Sequence, residues 1–76
     1  MKTIEDFVRL FAEQFEETEA SLFLPTTEFR DLDEWSSLIG LSIIAMVDEE
    51  FGVALKGNDF RQANTIADLY EIVMSK

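Results

Sequence analysis

The sequence predicts an all-α fold, a small four-helix bundle of three main helices and one short helix, with a long loop between helices 1 and 2. Three observations carry that expectation. Apolar residues recur at helical spacing in three separate stretches, each bounded by residues that cap or stop a helix. No run alternates with period 2 for long enough to argue for a strand. With 76 residues there is room for one domain, so residues 1–76 are expected to form a single unit.

Helix 1 begins at Thr3. Ile4, Phe7, Val8, Phe11 and Phe15 then fall at i, i+3, i+4, i+7 and i+11, which places them on one side of a helix. Thr3 suits the N-cap, and Glu5 and Asp6 in the first turn suit the positive end of the helix dipole. The pattern predicts an end near Glu16 to Glu19. The segment that follows, TEASLFLPTTEFRDLDEW, has no sustained period and contains Pro25, the single proline. A connection this long needs a reason in a compact domain. Its apolar members Leu22, Phe23, Leu24, Phe29 and Leu32 predict an ordered crossover that lies against the bundle.

Helix 2 is expected from Ser36 to about Phe51, closed by Gly52, which takes the left-handed conformation that ends helices. Its apolar residues leave no single stripe. Stepping back in fours from a buried Phe51 gives Val47 and Ile43, with Gly40 and Ile44 beside them, as the core face; Gly40 would permit close approach of another helix. Leu38, Leu41, Ala45 and Asp48 form a second row. A chain of this size has too few other elements to cover a four-turn helix from all directions, so the second row is expected to face solvent beside carboxylates, as a protein-docking surface. The alternative is a central helix wrapped by its own chain.

The stretch VALKGNDFRQAN allows one short helical turn around Asp59 to Gln62. After it, Thr65 and Asp68 stand at capping-box spacing, and Ile66, Leu69, Tyr70 and Val73 follow at helical spacing. These define the last helix.

Composition bounds the function. There is no cysteine and no histidine, so a disulfide and a structural zinc site are both excluded. Sixteen Asp and Glu against six Lys and Arg give a net charge of −10. That balance repels nucleic-acid backbones and anionic lipid surfaces and favours a basic protein partner, although it can also serve solubility alone. No segment reaches the roughly 20 apolar residues that span a bilayer. The start MKTIEDFV lacks a basic-then-apolar signal, so a cytoplasmic location is expected. A monomer is expected too. No glycine-rich phosphate loop or nucleophile with a base is present, and the pairs Asp33 with Glu34 and Asp48 with Glu49 and Glu50 read as solvated groups, so no catalytic residue is assigned.

At the start of helix 2, Ser36 as N-cap puts Ser37 at the first helical position with its hydroxyl free. The same geometry aims unpaired N–H groups and the positive dipole end at Ser37, a fitting place for a phosphate ester. Ser36-Ser37-Leu38 followed by IGLSIIAMVDEEFGV resembles the D-S-L motif and second helix of the acyl carrier protein family, and FRDLDEW and TIADLYEIV extend the likeness over nearly the whole chain. The resemblance implies that Ser37 carries 4′-phosphopantetheine, placed there from coenzyme A by a phosphopantetheinyl transferase, and that an acyl group rides on the arm as a thioester. It implies contacts with acyl-transfer and synthase enzymes through Leu38, Leu41, Ala45, Asp48 and Glu49, the two carboxylates meeting basic docking patches. It also implies that the bundle interior, around Phe7, Phe11, Ile44, Val47, Ile66 and Leu69, admits an acyl chain. Fatty-acid, polyketide and related pathways use such carriers. The chain departs from the family at Ser36, where Asp is usual, and at Ser42, where an acidic residue is common. An unmodified interaction module, with Ser36 and Ser37 acting only as caps, is the competing reading.

Overall fold

The computed structural model describes residues 2–76. Four helices follow one another: α1 Ile4–Ala12, α2 Ser37–Phe51, α3 Gly57–Gln62 and α4 Ile66–Met74. Among the described residues there is no strand, only an isolated antiparallel bridge between Glu28 and Thr65.

α1 starts as the pattern predicts. The Thr3 hydroxyl accepts from the Asp6 N–H, and the Asp6 carboxylate accepts from the Thr3 N–H at 3.0 Å. Its end is earlier than predicted. Past Ala12 the hydrogen bonds tighten to i→i−3, from Gln14 N–H to the Phe11 carbonyl and from Phe15 N–H to the Ala12 carbonyl. The N–H groups of Glu16, Glu17 and Thr18 then turn to the side chain of Glu34 instead of continuing a helical ladder. Three glutamates at the negative end of a helix dipole also disfavour extension. Phe15 is buried all the same, stacked on Phe11 with ring centroids 5.7 Å apart and 4.9 Å from Phe23.

The crossover from α1 to α2 is ordered, with two 3₁₀ turns, Ala20–Leu22 and Phe29–Asp31. Phe23 and Phe29 are buried and Leu32 is half-buried, as expected. Leu22 and Leu24 are not: they are 54% and 56% exposed. The crossover passes the start of α4, where its carbonyls are needed. Thr27 and Pro25 accept from the N–H groups of Ile66 and Ala67 at 3.1 and 2.9 Å, satisfying donors that a helix N-terminus leaves open. Arg30 secures the same region by donating to the Phe60 carbonyl at 2.6 Å and to the Asn64 side chain at 2.7 Å.

α2 ends at Gly52, whose φ of 66° and ψ of 28° are the left-handed values expected of it. Ile43 and Val47 are fully buried, as the stepping pattern predicts. Met46 joins them, while Phe51 and Ile44 are only half-buried. What lies over Gly40 is not a helix but the Trp35 indole, 3.9 Å from where a β-carbon would sit. α3 is longer than one turn, and the Lys56 N–H donates to the Asp59 carboxylate at its start. α4 has the predicted capping box: Thr65 Oγ1 accepts from the Asp68 N–H and the Asp68 carboxylate from the Thr65 N–H. The core joining the helices is rich in rings, Phe7, Phe11 and Phe29 having no exposed surface.

Candidate functional site

Ser36 is extended, with φ −158° and ψ 170°, and its hydroxyl accepts from the Ile39 N–H at 3.3 Å. Its carbonyl accepts the first helical bond, from Gly40, at 3.0 Å. The cap is therefore already supplied when the chain reaches Ser37. Ser37 is exposed, and among the described residues its hydroxyl has no hydrogen-bond partner. The N–H groups of Ser37 and Leu38 belong to the donors that a helix start leaves open. No charged side chain stands in this first turn, so nothing of the chain's own competes for the positive end of a 15-residue helix. The donor set fits a phosphate ester on Ser37 Oγ.

Down the helix from Ser37, the second row is uncovered. Leu38 is 73% and Leu41 62% exposed, and Ala45, Asp48 and Glu49 are exposed as well. The five residues expected to meet partners thus share an open surface with the serine. Glu50 is engaged in an ion pair with Lys2 at 3.5 Å. Leu22 and Leu24 add further exposed apolar surface on the crossover.

Sequence reasoning misses two residues beside the serines. Glu34 reads as a solvated group, yet its carboxylate accepts four hydrogen bonds, from the N–H groups of Glu16, Glu17 and Thr18 and from the Thr18 hydroxyl at 2.7 Å. The Thr18 hydroxyl, followed by the backbone N–H of Glu16, holds this carboxyl below its ordinary value. Trp35 is the residue before the cap. Its ring lies 4.9 Å from Phe29, 5.8 Å from Phe60 and parallel to Phe11 at 6.5 Å. A sequence signal for it does exist. An apolar residue before an N-cap packs on the fourth helical residue, and the fourth helical residue here is Gly40.

Trp35, Gly40, Ile44 and Phe60 together floor an apolar surface groove of about 460 Å³, with Ser37 and Leu41 on its rim. Among the described residues no group of three or more His, Cys, Asp or Glu is placed to hold a metal ion, and no helix is long and apolar enough to cross a membrane.

A family model described as the phosphopantetheine attachment site matches residues 5–73, all but the two ends of the chain. No curated protein and no solved structure matches.

Proposed function

We propose that this chain, which belongs to the phosphopantetheine attachment family, is a single acyl carrier domain spanning residues 1–76 with Ser37 as the modified residue. Members of that family bear 4′-phosphopantetheine and act as carriers, not catalysts, and they work with transferases and synthase enzymes. The observation that carries the assignment to Ser37 is its free, exposed hydroxyl at a helix start that Ser36 has already capped.

In the loading step Ser37 Oγ attacks the phosphorus of coenzyme A that bears the pantetheine. An Oγ–P bond forms as the bond to the adenosine bisphosphate leaving group breaks, and the hydroxyl proton passes to a base of the transferase. The open N–H groups of Ser37 and Leu38 and the dipole of α2 would stabilise the charge of a phosphodiester at Ser37 Oγ. When bound, the group supplies the thiol that holds an acyl chain as a thioester, which a chain without cysteine does not itself provide.

Delivery follows from the exposed row. Leu38, Leu41 and Ala45 give a client enzyme an apolar seat beside the loaded serine, and Asp48 and Glu49 steer basic patches toward it. Tethering then raises the local concentration of the acyl group at whichever enzyme has docked. The pathways served are those of fatty-acid, polyketide or related biosynthesis, in the cytoplasm, by a monomeric carrier.

Intact mass tests the assignment. Protein purified from its native host should carry a mass gain equal to one phosphopantetheinyl group, and Ser37→Ala should abolish it. Absence of the gain, even with a matched transferase and coenzyme A, would instead establish an unmodified interaction module.

A further inference from the structure

We propose that Trp35 is a specificity-determining residue: its indole floors the groove beside Ser37 and shuts that groove off from the bundle core, so the cargo stays outside. The cargo class that follows is short or planar acyl groups rather than long alkyl chains. The inference rests on Ser37 as the attachment point.

A long alkyl chain on a tether exposes apolar surface to water and is driven to find cover. Near Ser37 the chain offers two places, the open groove and the core beneath it. The way from one to the other runs through the groove floor. There the Trp35 ring is 4.9 Å from Phe29 and 5.8 Å from Phe60, and it lies 3.9 Å from where a β-carbon on Gly40 would sit. Phe29 itself has no exposed surface, and neither do Phe11, Val47 and Leu69 in the core beneath. Passage would require several mutually packed rings to move together, and close-packed interiors resist added methylenes.

Trp35 is also held from both sides along the backbone. Glu34 before it is fixed by four hydrogen bonds to Glu16, Glu17 and Thr18, beyond the end of α1, and Ser36 after it caps α2. These bonds place the backbone at position 35, and packing on Phe11, Phe29 and Phe60 holds the indole itself. It remains half-buried, with part of its surface on the groove. A flat acyl group can stack on such a ring, and a short one needs no cover at all.

Because the sequence has no cysteine, Ser37→Cys creates a single thiol that can be alkylated without any transferase. The reagents are iodoacetamides bearing acetyl, benzoyl, octanoyl or dodecanoyl groups on a spacer of pantetheine length; the thiolate displaces iodide, the thiol proton goes to buffer, and mass confirms each product. We expect the benzoyl product, unlike the acetyl one, to shift the emission of Trp35, the single tryptophan. We expect Tm to vary by less than about 2 °C over the whole series, with the methyl resonances of Val47 and Leu69 unmoved. A rise in Tm of more than about 5 °C from acetyl to dodecanoyl, together with movement of those methyls, would overturn the proposal. Identical Trp35 emission for the acetyl and benzoyl products would overturn it too. Combining Trp35→Val with Ser37→Cys opens the floor, and there a dodecanoyl group should raise Tm; the series with Trp35 intact decides the matter even where the double variant folds poorly. Failure of wild-type Ser37 to accept the group from coenzyme A would remove the attachment reading and leave this chemical series readable.

Discussion

Ser36 and Ser37 are adjacent and chemically identical, yet their surroundings give them separate work. The Ser36 hydroxyl closes the helix start, and the Ser37 hydroxyl bonds to nothing among the described residues. Ser36→Ala should therefore lower stability by about 1 kcal/mol, the usual cost of a lost cap, while Ser37→Ala should change it by less than about 0.5 kcal/mol. Urea unfolding of the two variants checks this, and equal losses would contradict the division. Glu34 offers a second prediction, in pH. Its carboxyl is held below its ordinary value of 4.5, first by the Thr18 hydroxyl, so the folded chain binds fewer protons there than the unfolded chain. Its stabilisation is complete above that value and is lost as pH falls through the depressed one. Asp6, Asp59 and Asp68, each lowered chiefly by a backbone N–H, from Thr3, Lys56 and Asn64 respectively, titrate in the same sense. Glu34→Gln should lower the urea midpoint at pH 7, and the gap to wild type should narrow at pH 3. A gap that widens in acid would contradict the sign. Of these residues, the Ser36 cap and the free hydroxyl it leaves at Ser37 are legible in the sequence because caps are local. Glu34 is not, since its partners lie 16 to 18 residues away and no short pattern marks them.

Gly40 within α2 and Gly52 at its C-cap separate two reasons for the same residue. Gly52 needs its missing side chain for backbone freedom, with φ at 66° and open space where a β-carbon would go. Gly52→Ala should cost about 1 kcal/mol, all of it conformational. Gly40 has ordinary helical backbone, and a β-carbon there would meet Trp35 at an ordinary 3.9 Å. Gly40→Ala should be neutral or stabilising by up to about 1 kcal/mol, because alanine favours helix interiors. Thermal melts of both variants read the contrast, and a loss at Gly40 as large as that at Gly52 would show that the indole cannot yield. The elements themselves are readable wherever periodicity and caps agree, as at Thr3, Gly52 and Thr65. The end of α1 is not, because the apolar period runs on to Phe15 while the backbone has already left the helix. The burial of Phe15 without helical structure comes from the crossover folding Phe23 against it. Likewise Leu22 and Leu24 look like core residues by composition, and only the path of the crossover leaves them in water.

Across the whole molecule one quantity, the net charge of −10, bears on folding and, under the proposed carrier role, on docking, with opposite dependence on salt. Only six residues are cationic, and Lys2, Arg9 and Lys76 are engaged with Glu50, Asp6 and Asp59 within the chain. Most carboxylates therefore face one another through water, and their repulsion weakens the compact state. Adding salt screens that repulsion, with a Debye length of about 10 Å at 0.1 M falling to about 3 Å at 1 M, so Tm should rise with salt. If Asp48 and Glu49 steer a basic client surface as proposed, the same ions screen that attraction, and docking should weaken over the same range. Replacing both carboxylates with lysine sharpens the test. The change removes two negative charges and adds two positive ones, taking the net charge from −10 to about −6, which should raise Tm at low salt, yet it should slow association with a client enzyme most strongly in that same buffer. The difference from wild type in both measurements should shrink toward zero as salt increases. A double variant that docks as well as wild type at low salt would place the client elsewhere on the chain, whatever its Tm does.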